Sequence, residues 1–211
     1  MKKPMILLTL AAALTWSGGI PHAEAASTTA SASIASASQQ YKAFLKKSTG
    51  TNISKFTVQT PYYKGDGGYH NIQLAVAKLN GTIVEASKSF SFNQTVGNSN
   101  LAKDGWKKAK VIVNGKFSTG YGGGICQVST TLYNSAAKAG MVTLERHHHS
   151  KTVGYVPAGK DATIAYGSLD FRFQNPYQRP VKIKASLSGR NIVVEFQSMN
   201  TYQEFLYKYM K

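Results

Sequence analysis

Between residues 69 and 79 the apolar positions recur at helical intervals. Ile72, Ala75, Val76 and Leu79 fall at i, i+3, i+4 and i+7, and Asn80-Gly81 supplies a stop. That spacing predicts a helix with one buried face. A second helix is predicted from the cysteine at 126 to residue 138. There Val128, Leu132 and Ala136 make a stripe at intervals of four, and Gly140 ends it. Elsewhere the period is two. Residues 181–187 and 191–197 alternate apolar and polar positions around Ser188-Gly189-Arg190, a hairpin pattern. Residues 109–113 and 116–118 flank Asn114-Gly115, the clearest local hairpin signal in the chain, because a tight two-residue turn needs positive φ at both central positions. Shorter extended pieces are expected at 56–58, 82–85, 89–92 and 141–144; residues 166–173 contain a strand ending in Phe171-Arg172-Phe173, which Asn175-Pro176 breaks, and 64–68 is expected to be a loop. Residues 39–47 read as a short helix and the aromatic, basic stretch 199–211 as a docked one. The pattern predicts the α+β class: a single domain with mixed and antiparallel strands and a buried helix starting at the cysteine loop.

The first residues follow another logic. Lys2 and Lys3 precede a mostly apolar run over 5–16, and Ala23-Glu24-Ala25 offers small residues at the −3 and −1 positions of a cleavage site. Residues 1–25 therefore read as a secretory signal peptide with Ala26 the first mature residue. The apolar run is shorter than the ~20 residues a span needs, which favours cleavage over an anchor and leaves no stable membrane span afterwards. Residues 26–38, almost all Ser, Ala and Thr, read as a flexible tether. Residues 39–70 form an N-terminal extension, 71–197 the main domain, and 198–211 the terminal segment.

Charge narrows the partners. The chain has 25 Lys and Arg against 9 Asp and Glu. Losing residues 1–25 removes Lys2, Lys3 and Glu24, so the mature chain stays strongly basic. Such a balance favours anionic surroundings. Export argues against nucleic acid and points to a secreted, wall-associated protein facing teichoic acids, carboxylate-bearing peptidoglycan stems or anionic lipid heads. Any single lysine is more simply a solvated surface group.

One cysteine in an exported chain forms no intrachain disulfide; it is buried, shared with another chain, or used. Its setting, Gly120-Tyr121-Gly122-Gly123-Gly124-Ile125-Cys126-Gln127, favours use. Glycines admit close approach of a ligand or backbone, and a helix start stabilises a thiolate. Three of the five histidines lie in Glu145-Arg146-His147-His148-His149-Ser150. On an extended strand His147 and His149 share one face and His148 takes the other. Either a histidine pairs with Cys126 as general base and acid, or alternate histidines join the sulfur on a metal. The metal reading is weaker, because no second thiolate is present and the spacing matches no zinc pattern. Packed or surface histidines are the bland alternative. Asp161 and Asp170 are candidates to orient a histidine, although Asp161 could cap a turn and Asp170 could pair with a basic neighbour. Arg146 could hold a substrate carboxylate or pair with Glu145. Ser129, Thr130 and Thr131 more simply satisfy the first helical turn. The N–H groups around Cys126 could stabilise an oxyanion. No cofactor is expected.

The run Gly122-Gly123-Gly124-Ile125-Cys126-Gln127-Val128-Ser129-Thr130-Thr131-Leu132-Tyr133-Asn134 resembles the signature of VanW domains. Phe90-Ser91-Phe92-Asn93, the Glu145–Ser150 segment, Tyr155-Val156-Pro157, residues 159–163, and 166–173 with Asn175 resemble it too. The family takes its name from glycopeptide-resistance gene clusters. Some members are implied to be cysteine-dependent L,D-transpeptidases that form 3–3 peptidoglycan cross-links, distinct from the enzymes marked by a Ser/Thr-His-Gly-Cys signature, which is absent here. By position the resemblance implies Cys126 as nucleophile and His147 and His149 as the matching histidines; Asp161 completes the expected catalytic set. Gly122, Gly123, Gly124, Gln127, Arg146 and Tyr166 are the expected substrate-binding residues. Larger relatives carry peptidoglycan-binding or G5-type modules upstream, where this chain has the Ser/Ala tether. The competing expectation is a wall-associated binding protein, gripping stem peptides or teichoic acid by charge, with an inert cysteine.

Overall fold

The computed structural model describes residues 51–113, 115–200 and 207. The expected signal peptide, tether and helix at 39–47 lie outside the described residues. So do Asn114 and most of the segment 198–211.

The alternating stretches pair as expected. Strands β1 (Asn52–Gln59), β9 (Asn191–Ser198), β8 (Val181–Ser188) and β2 (Ile83–Val84) form an antiparallel sheet in the order β1-β9-β8-β2. Between β8 and β9 the chain turns on Gly189 and Arg190, and Gly189 takes φ +57°, a conformation glycine adopts without steric cost. Alternation puts Val181, Ile183 and Ala185 of β8 and Ile192, Val194 and Phe196 of β9 in the core.

Two helices cover this sheet. Helix α1 (Gly67–Leu79) packs on β8, burying the Ile72, Ala75, Val76 and Leu79 stripe. It begins at Gly67, within the stretch expected to be loop. Gly68 lies so close to the Tyr62 ring that a Cβ would stand 2.5 Å from it, so the helix start and that ring share one space only because the residue is glycine. Helix α3 (Cys126–Lys138) packs on β1 and β9. Val128 and Leu132 are fully buried, each stabilising the fold by about 1.5–3 kcal/mol. The helix stops in a Schellman arrangement, with the Met141 N–H on the Ala136 carbonyl and Gly140 at φ +71°.

Two departures from the expected pattern concern short elements. Residues 92–96, expected to begin extended, form the short helix α2 (Phe92–Val96), capped by the Ser91 hydroxyl on the Gln94 N–H. Of 166–173, only the end is strand: β7 (Arg172–Gln174) lies between β3 (Ser89–Ser91) and β6 (Val142–Glu145). Gly167, at φ +85°, folds 165–169 into a turn closed by an Ala165–Leu169 bridge. Finally, β4 (Lys108–Val113) and β5 (Lys116–Tyr121) form a separate hairpin whose second strand runs straight into the glycine turn before α3. Among the described residues no helix is long and apolar enough to cross a membrane.

Candidate active site

The glycine turn is held by packing on three sides. Gly122 takes φ +71°, and a Cβ there would come 2.8 Å from Ser99. At Gly123 it would meet the Ala109 and Lys110 backbone at 2.7 Å, and at Gly124 the Gly68 carbonyl at 3.1 Å. The buried Asn71 of α1 ties the turn down. Its Nδ2 donates to the Gly123 and Lys107 carbonyls, and its Oδ1 accepts from the Lys107 N–H. All three glycines thus have a packing reason as well as a place in the wall of a cleft. They deliver Cys126 to the first position of α3.

The half-buried Cys126 sulfur stands 3.6 Å from Thr163 Oγ1 and 3.7 Å from the Ile164 carbonyl. His149 lines the same cleft, and its ring and charge lower the thiol more than any other side chain does. The register that brings His149 there starts from one bridge. The end of β6 leads into 146–149, which runs antiparallel to 161–163, with the Thr163 N–H on the His147 carbonyl. The same register sets residue 149 against 161. Asp161 Oδ2 then accepts from both the backbone N–H and Nδ1 of His149, each at 2.7 Å. With Nδ1 committed to the carboxylate, Nε2 is the nitrogen left for the sulfur. The side chains of His149 and Asp161 are 7% and 10% exposed, so water weakens this pair little.

The electrostatics follow from these contacts. Burial pushes the Cys126 thiol up, but the His149 hydrogen bond and charge outweigh it, helped by the Ile164 backbone and the Thr163 hydroxyl. The net effect holds the thiol below its ordinary value. Burial pulls His149 down, and the contributions of Cys126 and then Asp161 more than reverse this. For Asp161, burial is outweighed by the His149 N–H, His148 and the His149 ring, which keep the carboxyl well below the usual carboxylate range. Both shifts run towards the thiolate–imidazolium state, the direction in which the helix start also acts.

Helix α3 and the 160–164 loop are stitched by hydroxyls. Ser129 Oγ donates to the Ala162 carbonyl at 2.6 Å, Thr130 Oγ1 accepts from the Ala162 N–H at 3.0 Å, and Asn134 donates to the Lys160 carbonyl at 2.7 Å. Thr131 alone of the three hydroxyl residues bonds only within the helix, to the Gln127 carbonyl. Around the start of the helix, the N–H groups of Ile125, Gln127, Val128 and Ser129 reach backbone carbonyls. The Cys126 N–H has no backbone acceptor among the described residues and lies beside the sulfur, where an oxyanion would form.

Several expected site residues stand elsewhere or do other work. His147 and His149 meet different partners. His147 Nε2 bonds Glu145 Oε1 at 2.9 Å, while His148, expected at the free position, reaches Asp161 Oδ1 at 2.8 Å. The alternation of a regular strand does not apply, because the chain leaves β6 at Glu145. Arg146 is spent inside the protein. Its Nε donates to the Asp161 carbonyl, its terminal nitrogen to the Gly159 carbonyl, and its guanidinium lies 4.1 Å from the Tyr133 ring centre. It braces the Asp161 loop instead of facing the cleft. Tyr166 is exposed on the 165–169 turn and does not line the cleft, whereas Gln127, nearly buried, does. Asp170 accepts from Ser91, the Asn93 N–H and the Phe171 N–H, and so serves the start of α2.

The cleft has a volume of about 690 Å³ and opens onto Cys126 and His149. The β4–β5 hairpin and Tyr62 form one wall, and residues 152–155 and 163–165 the other. Sequence reasoning assigned no role to Tyr155, whose ring meets that of His149 edge-on at 6.4 Å, or to Thr163. Burial, and then the charge of Cys126, push the Tyr155 hydroxyl far up, so it stays protonated beside the pair.

Residues 68–197 match the family described as VanW like protein. The chain is 42% identical over 142 residues to the uncharacterized protein YoaR of Bacillus subtilis, covering 67% of this chain and 46% of that one. It is 30% identical over 128 residues to the Vancomycin B-type resistance protein VanW of Enterococcus faecalis, covering 58% and 46%. The chain spans about half the length of these curated relatives. No solved structure matches it. With more than half its residues inside the match, and the Cys126 turn, the His149 segment and Asp161 all within it, the chain belongs to the VanW like protein family.

Proposed function

We propose that this protein is an exported cysteine acyltransferase of the L,D-transpeptidase type, acting on peptidoglycan stem peptides. The observation that carries the reading is Cys126 at a helix start, lining one cleft together with an Asp161-held His149. A buried, inert thiol would have neither partner nor access.

The chemistry runs in two halves. The Cys126 thiolate attacks the carbonyl of the third stem residue, and the tetrahedral oxyanion draws on the Cys126 N–H and the helix start. The C–N bond to the terminal D-Ala breaks as imidazolium His149 gives its proton to the leaving amine, leaving a thioester. An amine of a second stem then attacks the thioester. His149 takes the amine proton, the new amide forms, and the thiolate leaves. Water as acceptor gives a carboxypeptidase instead. Asp161 keeps the His149 proton on Nδ1 throughout.

Purified protein incubated with disaccharide-tetrapeptide, followed by mass spectrometry, is the test. The expected products are a cross-linked dimer or a tripeptide, together with an acyl adduct on Cys126. Identical products from Cys126→Ala, or no adduct and no turnover, would refute the enzyme and leave a basic wall-binding protein. For the exported location, the wall fraction should yield a chain beginning at Ala26. A cytoplasmic chain retaining residues 1–25 would refute it.

A further inference from the structure

At the far end of the β4–β5 hairpin from the glycine turn, two ammonium groups share one aromatic ring. Lys110 Nζ lies 3.6 Å from the centre of the Phe117 ring, and Lys151 Nζ lies 4.4 Å from it. Lys110 of β4 and Phe117 line the cleft, and Lys151 reaches the ring from the segment after His149, just ahead of the cleft residues 152–155. The walls also touch here, where the Gly115 N–H donates to Ser150 Oγ at 2.9 Å. Phe117 is 54% exposed despite both cations. Neither lysine has an acidic partner among the described residues, and the cleft lining contains no Asp or Glu. Two like charges drawn to one ring repel each other, and an anion between them relieves that repulsion.

We propose that Lys110, Phe117 and Lys151 form a carboxylate clamp for a peptide lying along the hairpin with its reacting carbonyl at Cys126. The ring gathers the two ammonium groups and packs on the peptide stem, while the ammonium groups take a free carboxylate. The span sets which carboxylate. From Phe117 to Tyr121 the strand rises roughly 13 Å, the reach of three to four extended residues. The clamp therefore selects peptides bearing a free carboxylate a few residues from the reaction centre and disfavours their amidated forms. This rests on the stem-peptide reading for the identity of the substrate, though not for the existence of the clamp.

The test uses the reactivity of Cys126 itself. The probes are acetyl-Cys-Ala-Ala activated as its pyridyl disulfide, once with a free C-terminal carboxylate and once with a C-terminal amide. Pyridinethione release reports the rate. At low salt the carboxylate probe should react about tenfold faster than the amide, and the preference should collapse in 0.5 M salt. Lys110→Gln with Lys151→Gln should abolish the preference, and the paired Arg substitutions should keep it. No preference in the unaltered protein, or an unchanged preference in the Gln pair, overturns the clamp. In a second arm, Cys126→Ser protein is titrated calorimetrically with tetrapeptide stems bearing free or amidated carboxylates. Tighter binding of the free form supports the clamp on its proposed substrate. A clear probe preference with no stem binding keeps the clamp and removes the stem-peptide reading.

Discussion

Replacing Asp161 by Asn should separate the orientation of His149 from its presence. The carboxylate accepts three short hydrogen bonds, from His148 Nδ1 at 2.8 Å and from the backbone and ring of His149 at 2.7 Å each. Hydrogen bonds to a charged group are worth about 1.5–3 kcal/mol each, and neutral ones about 0.5–1.5. Asparagine keeps one acceptor oxygen and presents an NH2 where Oδ1 or Oδ2 stood. Because His148 is 59% exposed, its bond counts for little. The expected loss is then about 3 kcal/mol, or a melting temperature lower by about 6–12 °C for a domain of this size. If the NH2 faces His149, Nδ1 must accept, the ring proton moves to Nε2, and the nitrogen facing the sulfur can no longer act as base. Turnover should fall by about 10² to 10⁴, and rapid alkylation of Cys126 below pH 7 should disappear. The pH dependence has a definite sign. The depressed carboxyl of Asp161 contributes stability that is complete above its unfolded-state value near 3.9 and is lost as the pH falls through its folded value. The gap between wild type and variant should therefore be steady from pH 7 down to about 4 and close in stronger acid. Urea melts at several pH values and iodoacetamide rates from pH 4 to 9 check both halves. An alkylation profile identical to wild type would refute the orienting role of Asp161.

Other substitutions probe neighbouring parts. In His149→Ala, the lowered thiol of Cys126 loses its principal partner, so the midpoint of its alkylation profile should move up towards or beyond the ordinary thiol value of about 8.5; an unmoved midpoint would contradict the pairing. In wild type, stability from the raised His149 is complete below about pH 6.5 and lost as the pH rises through its folded value, so His149→Ala should cost more at pH 6 than at pH 9. Gly123→Ala places a methyl 2.7 Å from the Ala109 and Lys110 backbone, which should cost about 1–3 kcal/mol or more in denaturant melts and slow Cys126 labelling as the turn shifts. Arg146→Lys removes the fork that joins the Asp161 and Gly159 carbonyls; it should lower stability by about 1–3 kcal/mol while leaving KM unchanged, because the side chain faces away from the cleft.

Much of this was legible in the chain before the structure. The two longer helices and both hairpins follow from apolar spacing and turn chemistry, because one buried face dictates a repeat of 3.6 or 2. The short pieces were less legible for opposite reasons. In Phe90-Ser91-Phe92-Asn93 the β-rich composition hid α2, although Ser91 three residues before Gln94 is a capping signal. In 166–173 the strand at Phe171-Arg172-Phe173 was legible but its start was not, because Gly167 bends the chain ahead of it. At the site, the glycine run and the lone thiol marked Cys126 by local chemistry alone. Which histidine meets it depends on register with the 161–163 segment, a contact between positions far apart in sequence. The pairing of His147 with Thr163 fixes it, and no periodicity within the 147–149 run could reveal that Asp161 would be shared by two adjacent histidines.

The hydroxyl stitching between α3 and the 160–164 loop has a mechanical consequence. Nucleophile and carboxylate sit on one welded part, since Ser129, Thr130 and Asn134 fasten the helix to the strip that carries Asp161. The β4–β5 ribbon pairs as a sheet only with itself; its base packs on α1 and the glycine turn, and its outer end touches Ser150. A guest can therefore shift the outer end of the ribbon, while its base near the glycine turn stays fixed beside the sulfur. Reshaping that outer end would change which guests are admitted while the proton-transfer machinery keeps its alignment.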